Sequence, residues 1–183
     1  MKLHPLCFSL ALSLLALHAQ AASSAACLKP DALQSQMTPV ELFPAAAACI
    51  QDNDLPSAVM LVGLGSAYAS YDSQRVSDPT ATSAGNVVQR AAMNTLSSEQ
   101  KQQLGMAVVG TMRDQDKRTA LCQSLQRIGA PTYTPTYMIN HGQVAMSQAL
   151  THSTSTDSGL KPDFDGGRTW AMVLQNYMHC PAN

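Results

Sequence analysis

Charge is scarce in this chain. Asp, Glu, Lys and Arg make up 13% of its 183 residues, with 11 Lys plus Arg against 12 Asp plus Glu. A protein with no basic excess lacks the electrostatic footprint that a nucleic-acid backbone requires. Aromatic residues are thin as well, at one Trp, three Phe and five Tyr, and runs of β-branched residues are few. The residue types that fill strands are therefore in short supply. After the first 21 positions the histidines are His141, His152 and His179; no two stand at i, i+4, and no Cys-x-x-Cys occurs. Nothing there has the spacing of a metal site, and no cofactor is expected. No stretch past the N-terminus supplies the ~20 strongly apolar residues that a membrane-spanning helix needs.

What the chain does have starts with a leader. Lys2, the apolar run Leu6 to Leu17 and the small residues Ala19-Gln20-Ala21 read as a secretory signal peptide cut after Ala21, residues 1–21. The remaining 22–183 are one domain's worth of sequence. Cys7 leaves with the leader, and Cys27, Cys49, Cys122 and Cys180 remain. An even count in an exported chain points to disulfides in an oxidising compartment, here read as the periplasm. Of the three pairings, Cys27–Cys49 and Cys122–Cys180 are preferred. The first ties an N-terminal strap to the first helix, and the second pins the chain end. On a loop-entropy model they stabilise by about 3 and about 4 kcal/mol. Cys27 as the lipidated N-terminus of a lipoprotein is the rival reading. Ala25 and Ala26 suit it, but Ser24 stands where Leu is wanted, and lipidation would leave an odd number of thiols.

The chain is organised around Leu55 to Tyr71, uncharged between Asp54 and Asp72. Met60, Leu64, Ala67 and Tyr71 recur at helical spacing on one side, and Ala58, Leu61, Val62, Gly65 and Tyr68 lie on the other. A helix apolar nearly all round belongs inside a core. Before it, Thr38-Pro39-Val40-Glu41 reads as a helix start with Thr38 as N-cap, Pro39 at the first position and Glu41 closing a capping box. Pro44 is placed in or near that first turn. Gln51 to Asp54 is the turn of an αα-hairpin, with Asp54 capping the second helix. The alanines of the first helix, the turn Asn53-Asp54, and Ala58, Leu61, Gly65 and Tyr68 of the second resemble one tetratricopeptide or Sel1-like unit. It covers Thr38 to Arg75, with no second copy at a fixed period.

Downstream, helices are expected over Asn86 to Leu96, from Ser97 or Ser98 to Met112 (inner stripe Leu104, Val108, Val109 and Met112), and over Thr119 to Ile128 with Gly129 as C-cap. The charged Arg113 to Arg118 reads as a solvated bend or exposed turn. Ala130 to Gly142 (APTYTPTYMINHG) is expected to be ordered but irregular. A short helix over Val144 to Leu150, a polar surface loop over Thr151 to Gly167 and a last helix from Thr169 to His179 complete the chain. The fold class is all-α: one disulfide-stabilised domain of five to six helices on an αα-hairpin core, plus an irregular Pro/Tyr segment.

Candidate chemistry is sparse. Gly63-Leu64-Gly65-Ser66 lacks the Gly-x-Ser-x-Gly order of a nucleophile elbow. Asp163-Phe164-Asp165-Gly166 has the start of a calcium loop, but its twelfth position is Leu174 instead of Glu. It reads as an Asx turn. Tyr133, Tyr137, Met138, Asn140 and His141 form the candidate partner-binding patch, because a Pro-stiffened loop loses little entropy on docking. The competing reading is that Tyr133, Tyr137 and Met138 lid the core.

Export, paired cysteines and no assembled catalytic set suit a periplasmic protein-binding module. In this the chain is similar to small exported proteins that neutralise type VI secretion toxins. That resemblance implies an immunity protein whose partner is a toxin, plugged at its active site by Ala130 to Gly142. The alternative is a small periplasmic hydrolase using His141 with Asp163 or Asp165, which requires those side chains to converge in one pocket.

Overall fold

Asp54 starts the helix on which everything else is packed. In the computed structural model, which describes residues 25–153 and 158–181, its carboxylate accepts the Ser57 N–H at 3.1 Å and the Ser57 hydroxyl at 2.7 Å. From there α2 runs over Leu55–Arg75 and buries residues on every face, Ser57 through Gly65 without a gap. The uncharged stretch is the centre of the core, and its helix continues through Asp72 to Arg75.

Helix α1, Pro39–Gln51, precedes it. The Glu41 carboxylate reaches back to the Thr38 N–H at 2.7 Å, so the expected start is where the chain turns into helix. Helices α1 and α2 form the hairpin, joined by Asp52 to Asp54, with Asn53 at φ 60° completing the turn. They approach closely because Gly65 has no side chain; a Cβ there would lie 3.0 Å from the Phe43 ring. Pro44 is the sixth residue of α1, just past the first turn, and it removes the bond to the Val40 carbonyl.

Around this hairpin pack α3 (Ala84–Met93), α4 (Ser98–Arg113), α5 (Gln115–Ile128), α6 (Thr136–Ile139), α7 (Gln143–Thr151) and α8 (Gly166–Met172). Short 3-10 turns occur at Pro30–Ala32 and Pro79–Ala81, and a π turn, Val173–Tyr177, follows α8. Among the described residues there is no strand, only one antiparallel bridge between Val76 and Leu160. The protein is all-α and closed by two disulfides, Cys27–Cys49 and Cys122–Cys180. No helix among the described residues is long and apolar enough to cross a membrane. The expected leader, residues 1–21, and its expected cleavage point lie outside the described residues.

Among the described residues eight helices stand where five to six were expected, for local reasons. The bend expected over Arg113 to Arg118 is confined to Asp114. Asp114 alone interrupts the helix, accepting the N–H groups of Asp116 and Lys117 at 3.0 and 3.1 Å and so starting α5 at once. The Pro/Tyr segment contains one helical turn, α6, begun after Pro135. Helix α8 starts at Gly166 instead of Thr169, because Asp165 accepts the Arg168 N–H at 3.0 Å. The expected inner stripe of α4 also thins out. Leu104 is buried and Val108 and Met112 are half-buried, but Val109 is 46% exposed.

Candidate functional site

Segment 129–142 is fastened to the core at short intervals. The Tyr68 hydroxyl donates to the Gly129 carbonyl at 3.0 Å. The Thr132 N–H donates to Ser35 of the N-terminal strap at 3.0 Å. Tyr133 and Tyr137 both send their hydroxyls inward to Asp72 Oδ2, each at 2.8 Å. Met138 is fully buried against Val76, Ala81 and Ala84, a small second core separate from the main one. Beyond it, the Gln143 and Val144 N–H groups donate to Thr80 Oγ1 and Asp78 Oδ2 at 2.8 and 3.0 Å, which fixes the start of α7.

The anchor of this arrangement is Asp72, with no exposed surface. Its Oδ1 takes the Arg75 Nε–H at 2.8 Å, and Arg75 Nη2 lies 2.7 Å from the same oxygen without hydrogen-bond alignment. The Arg75 guanidinium sits 5.2 Å from the centres of both the Tyr71 and the Tyr133 rings. Such a placement favours a cation over aromatic faces. Around it Tyr68, Tyr71, Tyr133 and Trp170 meet edge to face or tilted, with centroids 5.6 to 6.1 Å apart.

Burial raises the Asp72 carboxyl above the usual carboxylate range, opposed by the Arg75 charge and the two tyrosine hydrogen bonds. Burial and the neighbouring Asp72 charge push both Tyr133 and Tyr137 far above an ordinary phenol, so they stay protonated donors. Chemically the cluster is a fastener: both Asp72 oxygens are taken by Arg75 and the two tyrosines, and Asp72 is closed to solvent.

The five nominated residues therefore divide. Tyr133, Tyr137 and Met138 face the protein interior, whereas Asn140 and His141 are exposed. The threonines Thr132, Thr134 and Thr136 are exposed beside them. They were missed in the sequence, although the alternation Thr-Tyr-Thr-Pro-Thr-Tyr separates an outward from an inward set. Asp72 was missed as an anchor because it reads as the polar end of an apolar run. Its signal is the arginine three residues on.

His141 does not meet the acids proposed for it. Among the described residues no hydrogen bond or ion pair joins it to Asp163 or Asp165. Those two acids line an open cleft of about 630 Å³ with Lys161 and Arg168, to which His141 does not contribute. Asp165 serves as the α8 cap, as an Asx turn should. No group of three or more His, Cys, Asp or Glu among the described residues is placed to hold a metal ion. No protein family matches the chain, nor does any curated protein or solved structure.

Proposed function

We propose that this chain is an exported protein-binding module whose presented surface is the outer side of 130–142, and that it acts in the periplasm as an immunity protein against a secreted antibacterial toxin. The observation that carries the reading is the fastening of that segment. A loop tied down by Asp72, Met138 and Asp78 already occupies one conformation, so docking it costs little further entropy. Its outward groups, Thr132, Thr134, Thr136, Asn140 and His141, offer short hydroxyls, an amide and an imidazole. That set can hydrogen-bond within a polar cleft.

The reading is tested by capture from a periplasmic extract with the oxidised mature chain, then with Asn140→Ala and His141→Ala together. Both side chains are exposed, so the double variant keeps the fold and loses capture by about tenfold or more, as expected for residues at the centre of a small interface. Unchanged capture by the double variant overturns the choice of surface. Failure of the wild-type chain to capture any protein overturns the function.

A further inference from the structure

Helices α4 and α5 meet over the first turns of the core helix. Asp114 alone links them, which is shorter than the 2–5 residues of a close antiparallel return. The result is a groove of about 770 Å³, inside the roughly 300–1,000 Å³ typical of small-ligand clefts. Its floor is Val59 and Met60 of α2 with Leu121 of α5, and Met106 and Ala107 of α4 form one wall. Val59 and Met60 are buried, at 9% and 7% exposure, and Met106 of the wall is 60% exposed.

The groove's charge is one-sided. Among the described residues that line it, Lys117 is the single charged one, and no carboxylate is present. Its nearest acid is Asp114, whose Oδ2 lies 3.7 Å away in an exposed pair, longer than a hydrogen bond. The Lys117 ammonium thus keeps donors for a ligand.

We propose that this groove binds a single-chain anionic amphiphile, its alkyl tail along Met60 and Met106 and its carboxylate at Lys117. Gln103 to Thr111 of α4 border the groove, a length of ~12 Å at ~1.5 Å per residue, which suits a medium-length tail. Two methionines give it walls that adapt to an irregular chain. The flanking surface argues against a protein partner. A stable complex covers about 800 Å² on each side, and beyond the groove α4 and α5 expose Lys101, Gln102, Gln123 and Arg127.

The test is calorimetric titration of the oxidised mature chain with dodecanoate, dodecylamine and dodecanol, each below its micelle concentration. Dodecanoate saturates one site, and dodecylamine binds about tenfold more weakly or not at all. Lys117→Gln, a change at an exposed position, weakens dodecanoate about fivefold and leaves dodecanol unchanged, as for the loss of one solvent-accessible charge pair. Ala107→Trp fills the groove and abolishes both. The proposal is overturned by any of four results: no saturation with dodecanoate, equal affinity for the amine, an unaltered Lys117→Gln, or dodecanoate binding that survives in folded Ala107→Trp. Saturation by an acidic amphipathic peptide with none by dodecanoate also overturns it.

Discussion

From Ala58 to Leu64 the central helix is gripped by hydrocarbon, and from Tyr68 to Arg75 by hydrogen bonds and an ion pair. At the first end Leu61 and Leu64 pack among Leu42, Ala46 and Leu125 with no polar group to satisfy. At the second, Asp72 and Arg75 are buried and need Tyr133, Tyr137 and two aromatic faces to be tolerated. The dry end holds whatever apolar residues fit it. The polar end holds only this one arrangement of segment 130–142, because each donor has a single acceptor to go to. One helix therefore combines a general core with a specific clasp.

The largest effect that separates the two ends is expected from Arg75→Met. It leaves the Asp72 charge buried without its partner and costs about 4 kcal/mol in urea unfolding at pH 7. The cost shrinks as the pH falls and Asp72 takes up a proton. A cost independent of pH between 7 and 4 would contradict the clasp. Leu61→Ala, at the dry end, costs about 3 kcal/mol through lost transfer energy and the cavity left behind, and that loss does not vary with pH.

Tyr133→Phe and Tyr137→Phe each remove one hydrogen bond to a buried carboxylate, about 2 kcal/mol apiece. The double variant departs from the sum, since both bonds end on one oxygen. Hydrogen exchange in these variants quickens over 130–142 before it does in α1. Uniform quickening of both would mean that the segment is part of the general core.

The smallest effect is in the acid limb of the stability curve, and the two ends have opposite signs. Asp54 starts α2 with its carboxyl lowered to about 2, first by the Lys29 hydrogen bond and then by Ser57. Its contribution is present above the ordinary carboxyl range and is lost as the pH falls towards 2. Asp72 is raised, so its contribution is fully present below that range and is lost as the pH rises through its folded value. Asp54→Ala should flatten the acid limb below pH 4. A steeper limb in that variant would show the sign to be wrong.

Much of the fold was readable in advance because its signals are local. An uncharged apolar run, Asp54 before it and Thr38-Pro39-Val40-Glu41 upstream declare a hairpin without reference to the rest of the chain. The site was half readable. Segment 130–142 stood out by its prolines and tyrosines. Which way those tyrosines turned was not visible, because their acceptor lies 61 and 65 residues earlier. The α4 stripe misled for a similar reason: Val109 has helical spacing, but no neighbour arrives to cover it.

By itself the sequence determined helical content, the start of α2 and the cysteines available for bridging, since propensity, capping and thiol count act over a few residues or none. Tertiary structure alone decided that Asp72 is the buried acceptor of two distant phenols, that Asn140 and His141 are left outside, and that α4 and α5 border a groove over Met60. Each of these depends on which surfaces meet when the chain closes on itself, a balance of desolvation against pairing that no local pattern encodes.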